Sequence, residues 1–440
     1  MSCGTTSEAE GSPDWYGIGV AKTTVPIGLG QSHQAIGALD VLLPLASHWV
    51  WKRLSGDEKM SGSGSEKRYE PSADSPLFIL AMDHRASFGR VLFGVEGTPT
   101  EAELTEMRNA KMVIYEGASQ ATADALPTGR AGVLVDEQLG ADVATRAKAD
   151  GFVLAMPIEK SGTELFELEY GEQYPEHVEA FDPDFSKVLV RYNPADEPDQ
   201  RSTQIERLAQ VSTWAERTRR WWLFELLVPP TREQLAQSED QFHFDRDVRS
   251  ALTAETIGSF NDGGVHPTIW KLEGYETTEG AEQVLRAVAA ETAFPAECIV
   301  LGRNAPMEQV EHWIDVAAPL PGFAGFAVGR SIWEEALQDL IAGRIERKQA
   351  VTVIADRYRR LIDSYCTARH PGSEGGERSE PFTFQNPRLT PDREARIRRS
   401  LQGADMRGTR LPAWMAASLL SEVDALRAEL TNRPPSGAAQ

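Results

Sequence analysis

From residue 75 onward, short apolar runs recur along the chain, each ending in polar residues. They read LFILAMDHR (77–85), GVLVDEQLG (132–140), GFVLAMPIEKSG (151–162), KVLVRYN (187–193), WWLFELLVP (221–229), TIWKLEG (268–274), CIVLGRN (298–304) and GFAGFAVGRSIW (322–333). Between most of them lie stretches with apolar residues at helical spacing, such as 102–124, 204–219, 280–291 and 307–317. Continuous apolar runs spaced by helices mark parallel strands buried on both faces. Eight strand–helix units close a barrel, so the spacing predicts an α/β fold, a (β/α)8 TIM barrel over 75–365 with extended N- and C-terminal tails. An open doubly wound sheet is the alternative, but it usually has fewer strands, and no GxGxxG follows the first run.

The flanks read differently. Residues 36–54 are apolar but carry Asp40, Pro44 and His48, and a spanning helix is longer and cleaner. No basic region and small-residue cleavage site mark this stretch as a secretory signal. The segment MSGSGSEKRYEPSADSP, beginning at Met60, reads as a disordered leader. Residues 1–74 are therefore expected to be a poorly ordered leader, with 1–59 either a start-site artefact ahead of Met60 or an extension. Residues 366–440 read as a Gly/Ser/Glu linker followed by helices at 391–403 and 412–431. The second of these has an apolar stripe suited to docking on the barrel or on a partner.

Composition narrows the function. A formal charge of −21 argues against a nucleic-acid surface, while local arginines still permit a pocket for an anionic metabolite. The three cysteines, Cys3, Cys298 and Cys366, form no CxxC and no disulfide framework, which fits the reducing cytoplasm. Cytoplasmic location, no membrane partner and either a monomer or a homo-oligomer are the expectations.

The polar residues sit at the C-terminal ends of the runs, the catalytic face of a barrel. Charges facing inward there are costly unless paired or used. The first run offers Asp83, His84 and Arg85; the second, Asp136 and Glu137; the third, Glu159 and Lys160. The fourth offers Lys187 and Arg191, the fifth Glu225, and the sixth Lys271 and Glu273. In the sixth, alternation puts Ile269, Lys271 and Glu273 on one face and Trp270 and Leu272 on the other. A lysine buried beside a second cation becomes a nucleophile toward ketones, and a carboxylate on the next strand can move protons for iminium formation. Lys271 with Glu225 next door and Lys187 one strand further fits Schiff-base chemistry. The seventh and eighth runs end in Gly302-Arg303 and Gly329-Arg330. Loops after strands seven and eight commonly hold phosphate through backbone N–H groups, a helix N-terminus and arginine.

The blocks AMDHRASF, LVDEQLG, IEKSG, KVLVRYN, FELLVP, WKLEG, LGR and GFAVGRSIW, in that order, resemble those of class I tagatose-1,6-bisphosphate aldolases. The chain is more similar still to the domain fused to the C-terminus of 5-dehydro-2-deoxygluconokinase in bacterial inositol catabolism. The resemblance implies Lys271 as the Schiff-base lysine, Lys187 as the strand-four lysine and Glu225 as the acid/base. It also implies Arg330 as the phosphate arginine and Asp83 as the first-strand aspartate. Gly302-Arg303 departs from the serine-containing segment of the tagatose enzymes and points to a different sugar. The implied activity is a carbon–carbon lyase acting on a small phosphorylated sugar. Its leading substrate is 2-deoxy-5-keto-gluconate 6-phosphate, cleaved to dihydroxyacetone phosphate and malonate semialdehyde, with tagatose or fructose bisphosphate as alternatives.

Each candidate also has a plain structural reading. Lys271 can be a buried ion pair with Glu273, Glu225 a salt-bridge partner orienting a lysine, and Asp83 a network residue pairing with Arg85. Arg330 can be a helix-start surface arginine, and Glu159 part of a turn. Arg85, Asp136, Glu159, Arg191 and Glu273 complete the expected substrate-binding set. His84 is the one histidine at a predicted catalytic strand end, whereas a zinc aldolase needs several converging. No metal and no cofactor is expected. The rival from another class is a non-catalytic phosphosugar-binding barrel, which binds phosphate esters and traps no imine.

Overall fold

The computed structural model describes residues 71–370, except 73, 124, 125, 127 and 128. The predicted helices at 391–403 and 412–431, and the leader up to residue 70, lie outside the described residues.

Eight parallel strands form a closed barrel in sequence order: β1 (Leu77–Ala81), β2 (Arg130–Leu134), β3 (Val153–Pro157), β4 (Phe185–Arg191), β5 (Trp221–Leu227), β6 (Ile269–Glu273), β7 (Glu297–Leu301) and β8 (Phe323–Val328). A helix follows each strand. In chain order these are α1 (Glu101–Thr122), α2 (Glu137–Ala149), α3 (Tyr174–Phe181), α4 (Pro198–Thr218), α5 (Arg249–Asp262), α6 (Thr278–Ala289), α7 (Met307–Ala317) and α8 (Arg330–Ile341). A final helix, α9 (Arg347–Arg369), closes the described chain. This is the (β/α)8 TIM barrel that the runs predict. No helix among the described residues is long and apolar enough to cross a membrane.

Alternation along each strand separates two cores. Leu77, Ile79, Phe185, Leu223, Ile269 and Ile299 fill the barrel interior. Residues of opposite parity, such as Phe78, Val133, Phe224, Trp270 and Phe326, join the larger core between sheet and helices. Both faces of the strands are thereby largely dry, which is why the runs are continuous in sequence. The barrel closes where β1 pairs β8, with Leu77 opposite Gly325. Gly325 has φ 129°, and a Cβ there would fall 1.9 Å from the Leu77 carbonyl oxygen, so only glycine allows this approach.

α1 begins with a capping box formed by Thr100 and Glu103. α9 is anchored to the barrel by two buried tyrosines. Tyr358 donates to the Phe78 carbonyl at 2.6 Å and Tyr365 to the Phe323 carbonyl at 2.8 Å. The helix therefore belongs to the barrel, and the fold extends past the expected boundary at 365 to Arg369.

Candidate active site

Ile269 lies in the interior core, and Lys271, two residues on, points into the barrel one level nearer its C-terminal mouth. The same step takes Leu223 to Glu225 on β5 and Phe185 to Lys187 on β4. Glu225 pairs directly with Lys271 in the β5–β6 register. Three adjacent strands thus exchange an apolar layer for a charged one at the same level.

The charges form one connected cluster. Lys271 Nζ lies 2.8 Å from Glu225 Oε1, and Lys187 Nζ lies 2.9 Å from Glu225 Oε2. Lys187 also donates to Asp83 Oδ2 at 2.7 Å and to Glu159 Oε1 at 2.8 Å. Two donors of the Lys187 ammonium are thus hydrogen-bonded, and Glu225 completes the ion-pair cage around it. The lysine side chains are 1% (Lys187) and 4% (Lys271) exposed, so these contacts are made nearly out of water.

Burial and charge compete at each group. For Lys187, burial favours the neutral amine, but Asp83, Glu159 and Glu225 outweigh it and raise the pKa above the usual lysine value. For Glu225, burial pushes up, while Lys187 and Lys271 pull further down, leaving it below its usual value. Asp83 behaves likewise: burial raises it, and Lys187, His84 and Lys271 hold it well below the carboxylate range. Glu159 goes the other way, because burial exceeds the pull of Lys187 and Arg85 and raises its pKa. Its Oε2 is buried without a hydrogen-bond partner. Burial also brings His84 down to about 3 against the attraction of Asp83, so the imidazole is neutral. His84 packs edge-on against Trp333, whose Nε1–H donates to the Ala81 carbonyl at 2.9 Å.

Arg330 opens α8 directly after Gly329. A Cβ at Gly329 would lie 2.5 Å from the Ala81 carbonyl oxygen, so the loop passes close to the end of β1. Among the described residues no carboxylate lies within ion-pair distance of Arg330. Burial lowers its pKa, against the more distant charges of Glu334, Glu225 and Asp83. Arg191, at the end of β4, is half-buried, and burial lowers its pKa against Glu225, Glu159 and Glu273.

Several predicted residues are placed elsewhere or paired differently. Lys271 pairs with Glu225 and not with Glu273. Glu273 instead accepts from Arg303 Nη1 at 3.0 Å and from the Val228 N–H at 2.9 Å. Arg85 does not pair with Asp83; it donates to Glu169 at 2.8 Å and to the Glu159 carbonyl at 2.7 Å. It therefore braces the β3 loop that carries Glu159. Asp136 caps α2 through the Leu139 N–H at 2.9 Å and pairs with the buried Lys111. That geometry spends its oxygens inside the wall. Glu137 turns outward to His177 at 2.9 Å.

Sequence reasoning missed Lys111, Glu169, Asp245 and Arg249. Asp245 and Arg249 are an i,i+4 pair that reads as a solvated helix face, yet both are buried. Lys111 sits midway along an amphipathic helix and has no local sign of burial. Among the described residues no group of three or more His, Cys, Asp or Glu is placed to hold a metal ion.

A family model described as "uncharacterized protein conserved in bacteria" (DUF2090) matches residues 53–369. No curated protein matches the chain. Among solved structures, a fructose-bisphosphate aldolase of Plasmodium falciparum is 12% identical, with 67% of this chain and 91% of that one covered and a TM-score of 0.48. The Corynebacterium glutamicum protein Cgl0159 is 18% identical, with 67% and 88% covered and a TM-score of 0.43. The family match spans the whole barrel, Lys187, Glu225 and Lys271 included, and the chain belongs to the DUF2090 family.

Proposed function

We propose that the protein is a class I aldolase that cleaves a phosphorylated ketose or keto acid through an imine on Lys271. The observation that carries this reading is the carboxylate of Glu225 shared between the two lysines of the barrel mouth. The arrangement supplies a nucleophile, a proton carrier and a fixed cation within one hydrogen-bonded unit.

Glu225, held ionised, takes a proton from the Lys271 ammonium, and the freed amine attacks the substrate ketone, its excess proton passing to the alkoxide to give a carbinolamine. Glu225 then returns its proton to the carbinolamine hydroxyl, which leaves as water. The resulting iminium accepts the electron pair when the hydroxyl on the β carbon loses its proton to the Glu225 carboxylate and the bond between the α and β carbons breaks. An aldehyde is released, and Glu225 returns that proton to the α carbon of the enamine on Lys271. Hydrolysis of that imine frees a ketone phosphate and restores the amine. Lys187 stays charged throughout and orders the three carboxylates around it. Arg330 and the first N–H groups of α8 hold the phosphate.

The sequence resemblance favours 2-deoxy-5-keto-gluconate 6-phosphate, a substrate of inositol catabolism, giving dihydroxyacetone phosphate and malonate semialdehyde. In that molecule the ketone at C5 forms the imine and the C3–C4 bond breaks. Borohydride reduction in the presence of dihydroxyacetone phosphate tests the reading. A stable adduct on Lys271 supports it, and no adduct, or one on Lys187, refutes it.

A further inference from the structure

Arg191 stands at the rim of the barrel, across the mouth from Arg330. Its sequence neighbours Val190 and Tyr192 belong to the outer core between sheet and helices, and so does Val188. Alternation therefore turns Lys187, Leu189 and Arg191 to the inner face of β4, with Arg191 at the C-terminal end. In the β4–β5 register Arg191 is opposite Leu227, two residues beyond Glu225. Strand order then fixes its direction from the reacting lysine. In the closed barrel β4 and β8 are separated by three strands on either side, so they face each other across the mouth. β8 leads through Gly329 into Arg330, and β6, which carries Lys271, lies midway between the two arginine-bearing strands.

We propose that Arg191 binds a carboxylate at the end of the substrate far from its phosphate, on the half released as the aldehyde. The proposal rests on the aldolase reading above, which puts the phosphate at Arg330 and the reacting carbons at Lys271.

The charges around Arg191 suit an incoming anion. The carboxylates that act on it are Glu225, Glu159 and Glu273. Each is held by another cation. Glu225 lies between Lys271 and Lys187, Glu159 Oε1 accepts from Lys187 at 2.8 Å, and Glu273 Oε1 accepts from Arg303 at 3.0 Å. Burial lowers the Arg191 pKa against these charges, so the guanidinium has given up part of its hydration before any ligand arrives. Leu189 and Leu227, half-buried on the same inner face, make the adjoining wall apolar, which strengthens a charge pair formed there. The planar fork of arginine matches the two oxygens of a carboxylate. A phosphate would bring nearly two charges within range of those three carboxylates where a carboxylate brings one. A ketose phosphate with a neutral end offers Arg191 only a hydroxyl.

Calorimetric titration of the full chain with 6-phosphogluconate and with glucitol 6-phosphate tests the proposal. The two differ only at the end far from the phosphate, a carboxylate in one and a hydroxymethyl in the other. Neither has a ketone, so neither forms an imine. The wild type is expected to bind 6-phosphogluconate about tenfold or more tighter. Arg191→Ala is expected to bring the two within about threefold. Arg191→Gln, closer in volume, is expected to do the same and keeps the test open if the alanine variant does not fold. Arg330→Ala is expected to weaken both and leave the preference standing. Glucitol 1,6-bisphosphate distinguishes a carboxylate site from a second phosphate site. A wild type without the preference, or a preference that survives in folded Arg191→Ala or Arg191→Gln, overturns the proposal. So does a bisphosphate that binds tighter than 6-phosphogluconate and loses that advantage with Arg191, or no saturable binding of 6-phosphogluconate. Borohydride trapping with dihydroxyacetone phosphate on the same preparation reports on the aldolase reading separately. A missing Lys271 adduct removes that reading, and the binding ratio still decides whether Arg191 takes the carboxylate.

Discussion

Glu225 lies between two lysines, 2.8 Å from Lys271 Nζ through Oε1 and 2.9 Å from Lys187 Nζ through Oε2. One carboxylate therefore touches both the proposed nucleophile and the fixed cation. If it carries protons in the reaction, Glu225→Gln should lower kcat by about 10²–10⁴-fold, the usual worth of a positioned acid/base. Circular dichroism should show the barrel intact. A kcat within threefold of wild type would reduce Glu225 to a structural partner.

Lys187 is expected to matter for stability as much as for chemistry. It is the shared cation of Asp83, Glu159 and Glu225, and its side chain is 1% exposed. Lys187→Met leaves these carboxylates facing one another with no cation at their centre. The loss of one partner from a buried ionic cluster costs about 3–5 kcal/mol. Urea unfolding measures it, and a loss below about 1 kcal/mol would contradict the cluster described.

His84 gives the stability a pH dependence. Its folded pKa is about 3 against an ordinary 6.5, so between those values the unfolded chain binds a proton that the folded chain does not. Stability must then fall as pH drops from 6.5 toward 3. His84→Gln removes this contribution. Its Tm should decline less than that of wild type between pH 6.5 and 4.5, a window above the acid range where Asp83 titrates. Equal slopes in differential scanning calorimetry would show that His84 is not held neutral.

Arg330→Ala should raise KM for a phosphorylated substrate by about 10–100-fold, the loss of one charge-assisted hydrogen-bonded anchor. kcat should change far less, because the arginine is proposed to hold the phosphate, away from the reacting carbons. Steady-state kinetics decides it. An unchanged KM places the phosphate elsewhere.

Much of the barrel was legible because burial on both faces leaves an unmistakable sequence trace. The alternation of Ile269, Lys271 and Glu273 against Trp270 and Leu272 survives intact in the two cores. Strand ends were less legible. Asp136 follows an apolar run and looks like a mouth residue, yet it is the cap of α2 and the partner of Lys111. Local pattern cannot distinguish a cap from a ligand when both follow a strand. Partner choice was the least legible feature. That Lys271 pairs across to β5, and that Glu273 pairs with Arg303, depends on strand stagger and on the turn carrying Asp245. Those are tertiary facts with no periodicity to announce them.

Imine formation between Lys271 and a ketone phosphate is measured most directly by intact-protein and peptide mass spectrometry after borohydride reduction with dihydroxyacetone phosphate. One reduced adduct is expected, on the peptide containing Lys271, and no adduct in Lys271→Met, whose side chain fills similar volume without an amine. An adduct on Lys187, or one that persists in the methionine variant, would contradict it.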